Sequence, residues 1–492
     1  MDPRDLPVSR LQTVLGDAPR TGRSQWLADA LVASLVDGRL PEDARLPSER
    51  ALAVRLGLSR GTVVRALDAA KERGFLVSRQ GSGRFLRLPR EAARPLEPLQ
   101  GDLAAAPPGA VDLRSTLLPP HPALRAAALA EAAAVETDPS WGSAPVRGLP
   151  ELIRAICEHF AARGLPTAED QVLVTAGAVS GLHLALAALT ASGDRVGTED
   201  PGYPNTAQVI RGLDRWPVPI PVVGDHGRAL EDAVGSGELA AAVLTPDFHN
   251  PTGRLLSEGA RERLVRAAAR AGTVLVIDET LAGTNWRGLP MHRPVAAFGG
   301  STGTGPGSGS GSGSGSGEAE STVVTVGSAS KTLWNGLRIG WIRADAQTIE
   351  TIARRRTGVD LGAPVLEQRI AARLLPVLSA DGVTVHAERL SDSWEQVRAA
   401  LEEHAPHWSA IAPDGGLSVW CTGLRRPSSA LVEEAGARGV LLTPGALFAP
   451  GGADGTGGRP AQGWPGALRL PISASPQDLV AAIAVLGELD RA

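Results

Sequence analysis

Residues 322–341 read TVVTVGSASKTLWNGLRIGW and decide the fold of the longer part of this chain. The apolar, β-branched start is typical of a buried strand, and a lysine follows where that strand ends. Lys331 is one of only two lysines among 49 basic residues, the other being Lys71, and unlike arginine a lysine can condense with an aldehyde. The stretch therefore predicts an imine-forming amine rather than a lysine kept by chance at the surface. Near Lys331 lie two hydroxyls and a guanidinium, a set that suits an aldehyde bearing a phosphate: Ser328, Ser330 and Arg338.

Short apolar runs alternate with helical patterns on both sides of this stretch, which is typical of a mostly parallel sheet covered by helices. The predicted strands are 172–175, 196–198, 241–245, 274–277, 323–326 and 339–342. From Pro406 onward the chain has its own strand-like runs, at 417–420 and 467–470. We therefore predict an α/β domain that ends in a smaller α+β subdomain.

Four further groups follow predicted strands, and in a parallel sheet ligands gather at the carboxyl ends of strands. Asp278 can hold the proton of a pyridinium ring, and Asn250, in Asn-Pro-Thr-Gly, can donate to a phenolate oxygen. The N–H groups of residues 177–179, where a helix opens, can bind phosphate. Tyr203 is the only tyrosine in the chain and can stack on a flat ring. Singly, each has a structural alternative (a capping carboxylate, a turn, a packed aromatic), but together with Lys331 they indicate a cofactor site.

The order of these residues resembles that of fold-type I aminotransferases, which use pyridoxal 5'-phosphate, over about residues 112–490. The resemblance implies that Lys331 forms the internal aldimine and that Asp278 pairs with the ring nitrogen. It also implies that Asn250 contacts the 3'-oxygen and that Tyr203 stacks on the ring. The residues that would hold the phosphate are Ala178, Val179, Ser328, Ser330 and Arg338.

Two further positions bear on this resemblance. Arg469, in Leu468-Arg469-Leu470, is similar to the arginine that binds a substrate carboxylate in the family, a task that suits a bidentate guanidinium. The family commonly has a tyrosine two or three residues after the ring-nitrogen aspartate, whereas this chain has Thr280 and Leu281 there. The departure puts the acidity of the cofactor imine, and hence catalytic turnover, in doubt.

Length and composition limit the class of protein. A chain of 492 residues exceeds one hydrophobic core, so two or more domains are expected. The two cysteines, Cys157 and Cys421, have no metal-like spacing, so neither a disulfide framework nor a metal site is predicted. The start of the chain lacks an apolar signal core, and no run of about 18 apolar residues occurs. These features predict a soluble cytoplasmic protein that needs no membrane partner.

The N-terminal end differs from the rest in charge and in pattern. Residues 1–90 hold 16 Lys and Arg against 10 Asp and Glu, whereas the remainder holds 33 against 43. Apolar spacing predicts a first helix over 26–36. A second helix is predicted after Ser48 and a third after Ser59, and these two serines can cap them. Residues 74–86 read as a two-stranded hairpin with a glycine tip. The region is therefore predicted to fold as helix, turn, helix and wing.

The predicted organisation has three parts. Residues 1–87 form the helical and winged domain, 88–111 a linker rich in Pro, Ala and Leu, and 112–492 the cofactor domain. Within the last, the Gly/Ser repeat at 299–317 cannot bury anything and is predicted to be a disordered surface insertion, to which no function is assigned.

Residues 23–87 look like the winged helix-turn-helix of the GntR family. The matching stretches are LPSERALA at 46–53, LGLSRGTV at 56–63, Gly74-Phe75 and Gly81-Ser82-Gly83. In this arrangement the third helix reads the major groove, the start of the second helix contacts phosphates, and the wing glycines let backbone approach the DNA. The residues assigned to double-stranded DNA are Ser48, Arg50, Ser59, Arg60, Thr62, Arg65, Gly81 and Gly83. The alternative is a small helical domain with basic solvated faces.

A GntR-type reader joined to an aminotransferase-like domain resembles the MocR subfamily of bacterial transcriptional regulators. The resemblance implies a homodimer, in which each winged helix often lies on the partner protomer. It also implies a regulator in which pyridoxal phosphate, alone or with an amine or amino-acid effector, biases the DNA-reading domains. A working aminotransferase with a DNA-binding domain is the alternative, and the missing tyrosine counts against it. A third possibility is a repressor whose large domain only dimerises.

Overall fold

A computed structural model describes residues 23–36, 44–79, 83–87, 109–135, 145–299, 322–378, 382–450 and 464–491, together with Leu11, Leu15, Leu40 and Pro107. These residues fall into two compact units, the first within residues 1–98 and the second after residue 98. Most of the predicted linker, nearly all of the predicted Gly/Ser insertion and the predicted wing residue Gly81 lie outside the described residues.

Residues 23–36, 44–79 and 83–87 of the first unit form three helices and one hairpin. They are α1 (Arg23–Val36), α2 (Glu49–Arg55), α3 (Arg60–Glu72), β1 (Leu76–Arg79) and β2 (Gly83–Leu86). The two strands pair antiparallel, with Leu76 opposite Leu86. The expected winged helix-turn-helix is therefore confirmed as the fold of this unit.

Short polar residues fix where α2 and α3 begin. The hydroxyl of Ser48 accepts a hydrogen bond from the N–H of Ala51 (3.2 Å), and that of Ser59 accepts one from the N–H of Thr62 (3.1 Å). Each bond satisfies one of the N–H groups that a helix start leaves without a partner. Between the helices Gly57 has a φ of +61°, a left-handed value that glycine adopts without a steric cost. Gly57 therefore lies in the turn that separates α2 from α3.

The second unit is built on a seven-stranded sheet. Its strands in chain order are β4 (Val172–Thr175), β5 (Arg195–Asp200), β6 (Trp216–Pro221), β7 (Ala241–Leu244), β8 (Val274–Asp278), β9 (Val323–Ser328) and β10 (Gly340–Arg343). Their order in space is β4-β10-β9-β8-β7-β5-β6. Neighbours from β9 to β6 run parallel, and only β10 is antiparallel to both of its neighbours. The predicted mostly parallel α/β sheet is thus confirmed.

Helices cover both faces of this sheet, because its central strands β7 and β9 are buried on both sides. The helices of the second unit are α4 (Leu124–Ala134), α5 (Pro150–Ala162), α6 (Ala178–Leu189), α7 (Pro204–Gly212), α8 (His226–Val234), α9 (Glu258–Ala271), α10 (Ala346–Arg356), α11 (Val365–Leu374), α12 (Ala387–His404), α13 (Ser428–Ala437) and α14 (Pro476–Arg491). The parallel strands send their carboxyl ends to one edge of the sheet, which is where the site lies.

The predicted strands omitted β6, which carries Pro217, Pro219 and Pro221. Proline has no N–H to donate and normally counts against a strand, but an edge strand tolerates it. β6 pairs only with β5 and lies at the edge of the sheet, so its prolines are compatible with the fold.

A smaller sheet forms the terminal subdomain. It comprises β11 (Ser409–Ala410), β12 (Val419–Thr422) and β14 (Ala467–Leu470), all antiparallel. A separate pair joins β13 (Val440–Leu441) to β3 (Val111–Asp112) in parallel, so the start of the second unit is hydrogen-bonded to its terminal part. Among the residues described, no helix combines the length and the apolar character needed to cross a membrane.

Candidate functional site

One cavity of the second unit is lined by every residue that the sequence assigned to the cofactor or to the carboxylate of a substrate or effector. These residues are Ala178, Val179, Tyr203, Asn250, Asp278, Ser328, Ser330, Lys331, Arg338 and Arg469. The cavity lies at the carboxyl ends of β5, β7, β8 and β9, and Arg469 enters from β14.

Lys331 follows β9 by three residues and directs its amine to a backbone carbonyl. Its Nζ donates to the carbonyl oxygen of Thr116 at 2.9 Å and lies 3.4 Å from the hydroxyl of the same residue. Burial, and then the positive charges of Arg469 and Arg338, lower the pKa of the Lys331 amine from 10.5 to about 8, against the opposing effect of Asp278. At neutral pH a larger fraction of the Lys331 amine is therefore uncharged than in an ordinary lysine. Only the uncharged amine acts as a nucleophile.

Asp278 is the last residue of β8. One of its carboxylate oxygens accepts the N–H of Thr280 at 2.9 Å. Burial raises the pKa of the Asp278 carboxyl, and the charge of Glu199 adds to that rise, whereas the bonds from Thr280 and the charge of Lys331 oppose it. A buried carboxylate of this kind is stabilised by a proton donor such as a pyridinium ring.

Asn250 lies in the loop after β7, and its side-chain oxygen is buried without a hydrogen-bond partner among the described residues. The buried carboxylate of Glu199 contacts this loop at Thr245 and His249. Glu199 accepts the N–H of Thr245 at 2.9 Å, bonds His226 at 3.0 Å, and lies 3.3 Å from Nε2 of His249. Burial would raise the pKa of Glu199, but His249 and His226 lower it to about 2. The sequence prediction did not include this cluster.

The opposite end of the cavity suits a phosphate. Helix α6 begins at Ala178, and its cap residue Gly177 has a φ of +93°. A β-carbon on Gly177 would lie 2.8 Å from Nη2 of Arg338, so glycine is what allows the guanidinium to approach the helix start. The Ser328 hydroxyl accepts the N–H of Ser330 at 3.1 Å, and the Ser330 hydroxyl is buried without a partner among the residues described. Helix N–H groups, hydroxyls and an arginine are the usual ligands of a phosphate.

Arg469 is 1% exposed and occupies β14. It donates to the carbonyl of Arg114 and lies over the ring of Phe448 at 5.4 Å, while its Nε is buried with no partner among the residues described. Burial lowers the pKa of Arg469 to about 10, so the side chain stays charged at neutral pH. A buried guanidinium without a carboxylate suits an anionic ligand.

Sequence patterns missed the segment of residues 114–116, which supplies carbonyl acceptors to both Arg469 and Lys331. The segment is held by β3 and by a two-bond ion pair between Arg114 and Asp112, at 2.6 and 2.9 Å. Its acceptors are backbone atoms, so no side-chain motif announces them. The remaining cavity wall is apolar or neutral and includes Leu117, Leu281, Asn335, Leu417 and Ser418.

The position where the family commonly has a tyrosine is occupied by small and apolar groups. Thr280 and Leu281 both line the cavity. A threonine hydroxyl is not acidic in the way that a phenol is. The departure noted in the sequence therefore lies inside the cavity wall.

These residues fit pyridoxal phosphate by the chemistry of their donors and acceptors. An amine with a lowered pKa, a buried carboxylate, an asparagine side chain whose NH2 group can donate, and a helix start beside an arginine match the aldehyde, the ring nitrogen, the phenolate and the phosphate, respectively.

The DNA-binding residues proposed from sequence lie on the surface of the first unit. Ser48, Arg50, Ser59, Arg60, Arg65 and Gly83 are exposed, and Thr62 is partly exposed. The opposite side of α3, including Val63 and Leu67, is buried. The hydroxyls of Ser48 and Ser59 cap helices. Arg60 pairs with Glu49, a contact that sequence did not predict.

Two protein families match separate parts of this chain. Residues 115–484 match the family described as aminotransferase class I and II, and residues 23–86 match the bacterial regulatory proteins of the gntR family. The two matches together cover most of the chain.

Proteins named as regulators are similar to this chain over most of its length. The chain is 27% identical to the HTH-type transcriptional regulator TauR of Rhodobacter capsulatus, over 86% of this chain and 88% of that one. It is 30% identical to the probable rhizopine catabolism regulatory protein MocR of Rhizobium meliloti, over 80% of each chain.

Among solved structures, the second unit has the fold of aminotransferases. The aspartate aminotransferase from Thermus thermophilus with maleate matches 77% of this chain and 91% of its own length, with a TM-score of 0.63 and 20% identity. An archaeal alanine:glyoxylate aminotransferase matches 78% and 91%, with a TM-score of 0.64 and 23% identity. At these identities the likeness concerns the fold alone.

Proposed function

Because this chain belongs to the MocR-type bacterial regulators, we propose that it senses a small molecule through pyridoxal phosphate held at Lys331. Regulators of this type join a GntR-family DNA-binding domain to an aminotransferase class I and II domain. The molecule sensed is an amine or amino-acid effector, or the cofactor itself. The chain is a DNA-binding regulator with an aminotransferase-like domain. The observation that carries the proposal is the single cavity in which Lys331, with a pKa of about 8, meets Asp278, Asn250 and Arg338.

Each side chain has a defined task in this proposal. Lys331 captures the aldehyde, Asp278 holds the proton of the ring nitrogen, and Asn250 donates to the phenolate oxygen. Arg338, the start of α6 and the two serines hold the phosphate, while Tyr203 covers the ring. When bound, pyridoxal phosphate supplies an electron-withdrawing aldehyde that exchanges one amine for another.

Arg469 would bind the carboxylate of an amino-acid effector. To do so the carboxylate replaces the Arg114 carbonyl as the acceptor, and an effector amine competes with Lys331 for the aldehyde. We propose that the chain acts as a homodimer and that effector binding favours one arrangement of the DNA-binding domains. Such coupling requires that the effector bind the two arrangements with different affinities.

A titration of the protein loaded with pyridoxal phosphate tests this proposal. We expect one class of amine or amino acid to change the absorbance of the bound cofactor, and the same compound to change the affinity for DNA by about 5–150-fold, the usual range of allosteric coupling. The DNA is a 30-base-pair duplex selected by the protein from a randomised pool. A compound that changes the spectrum with no change in DNA affinity would contradict a sensing role.

Catalytic transamination is the second candidate, favoured by the presence of the amine, the carboxylate and both arginines in one cavity. The neutral wall at Thr280 and Leu281 counts against it. Rapid, repeated conversion of an amino acid with a keto-acid acceptor would replace the regulator-only assignment with that of an enzyme.

Replacing Arg60 with alanine is expected to weaken binding to the selected duplex by about 1–3 kcal/mol, the usual value of one arginine contact to a base. Arg60 is the first residue of α3, and its side chain is 76% exposed. Fluorescence anisotropy measures the DNA affinity, and absorbance measures cofactor uptake, which we expect to be unchanged. Equal loss of both would show that the two functions are not divided between the two domains.

A further inference from the structure

Glu49 links three elements of the DNA-binding unit. It is the first residue of α2, and its Oε2 accepts from Nε and Nη2 of Arg60 at the start of α3, both at 3.3 Å. Its Oε1 accepts from Nη2 of Arg84 in the wing strand β2 at 3.1 Å. One carboxylate therefore contacts an arginine of the groove-reading helix and an arginine of the wing.

The two arginines differ in what remains available to DNA. Arg84 also lies 3.2 Å from Asp68, and its side chain is 24% exposed, so its charge is compensated within the unit. The Arg60 side chain is 76% exposed. The bonds from Arg60 to Glu49 use its Nε and one hydrogen of its Nη2. The opposite edge of the guanidinium, formed by Nη1 and Nη2, can therefore still donate two parallel hydrogen bonds to a guanine.

The position of Glu49 has an electrostatic consequence for DNA in general. Most contacts in a protein–DNA complex are made to phosphates, and they carry no sequence information. A carboxylate beside the exposed arginine reduces the attraction of Arg60 to any phosphate. It also reduces the number of orientations that a long exposed side chain adopts before it reaches a base.

We propose that Glu49 is a specificity-determining residue: it positions Arg60 for a base edge and lowers the affinity for DNA that lacks the matching base. The inference rests on the proposed role of Arg60. The plainer alternative is that Glu49 only stabilises the start of α2, where an acidic side chain interacts favourably with the helix dipole.

The test compares the full-length variants Glu49→Gln and Glu72→Gln. Glu72, the last residue of α3, is exposed and supplies a matched control with the same change of charge. Affinity is measured for a 30-base-pair duplex that the unmodified protein selects from a randomised pool, and for a duplex of the same composition in scrambled order. Both are measured over a range of salt concentrations.

For Glu49→Gln we expect tighter binding to the scrambled duplex and a fall of roughly tenfold in the ratio of specific to nonspecific affinity, the discrimination that one arginine–guanine contact provides. For Glu72→Gln we expect both affinities to rise together, because the change of charge is general. A ratio that changes equally in the two variants would overturn the proposal.

The double variant Glu49→Gln with Arg60→Ala separates positioning from a general effect on folding. If Glu49 acts through Arg60, its replacement has no further effect on the ratio once Arg60 is absent. An equal fall of the ratio in both backgrounds would assign Glu49 a structural role only. If Arg60→Ala alone leaves the ratio of specific to nonspecific affinity unchanged, the proposed role of Arg60 fails. If that ratio falls in Arg60→Ala but stays unchanged in Glu49→Gln, only the inference about Glu49 is rejected.

Discussion

Replacing Lys331 with alanine is expected to abolish the covalent capture of pyridoxal phosphate. Lys331 is the amine of the proposed cofactor cavity, and the only other lysine of the chain is Lys71 in the DNA-binding unit. Treatment with borohydride followed by mass analysis should find a phosphopyridoxyl group at Lys331 in the unmodified protein and none in the variant. The matched control is Lys71→Ala, which we expect to retain the adduct. An adduct that survives in Lys331→Ala would refute the assignment of the site.

The pH dependence of this capture follows from the lowered pKa. Only the uncharged amine attacks an aldehyde, and its fraction rises as the pH rises through the pKa. With a pKa of about 8, the rate of capture should increase between about pH 7 and pH 9 and then level off. A rate that continues to rise toward pH 10.5, the ordinary value for lysine, would show that burial and the two arginines do not perturb this amine.

Replacing Asp247 with alanine is expected to lower the free energy of unfolding of the aminotransferase-like unit by about 3–5 kcal/mol, the usual effect of removing one partner of a buried ion pair. Asp247 and Arg261 form a hydrogen-bonded ion pair in which both side chains are 0% exposed. Arg163 lies 3.6 Å from the same carboxylate and donates to Glu279 at 2.6 Å. Alanine therefore leaves Arg261 buried with carbonyl acceptors but without the carboxylate that it hydrogen-bonds.

Urea denaturation followed by circular dichroism measures this effect. The control is Asp232→Ala, which removes a pair with Arg228 whose side chains are 62% and 68% exposed. Water screens such a pair, so its loss should leave the urea midpoint almost unchanged. Similar midpoints for the two variants would show that the buried network contributes no more than a surface pair does.

Local sequence was sufficient to predict much of the fold. The strand at 172–175 has the predicted bounds, and the strand that precedes Lys331 extends two residues beyond its prediction, because a short apolar run bounded by polar residues specifies both. The serine caps of α2 and α3 were also predictable, because a cap depends on residues three positions apart. Strand β6 was missed because its three prolines remove the usual signal.

The contacts of the site were less accessible to sequence reasoning. All ten assigned side chains line one cavity, since each follows a strand of the same sheet or enters from the neighbouring subdomain. The carbonyl of Thr116 meets Lys331 across 215 positions of the chain, and a backbone acceptor leaves no mark in the sequence. The same holds for Glu49, whose pairing with Arg60 and Arg84 depends on how α2, α3 and the wing pack.

The alternating prolines of β6 also determine how that border of the sheet meets other chains. The N–H groups of Trp216 and Val222 point inward, to the carbonyls of Asp194 and Asp200, so the intervening odd-numbered positions direct their nitrogens outward. Those positions are Pro217, Pro219 and Pro221, which have no hydrogen to donate. An extended peptide or a second sheet that approached this border would find acceptors without donors, so the border is protected against strand addition and the aggregation that starts from it.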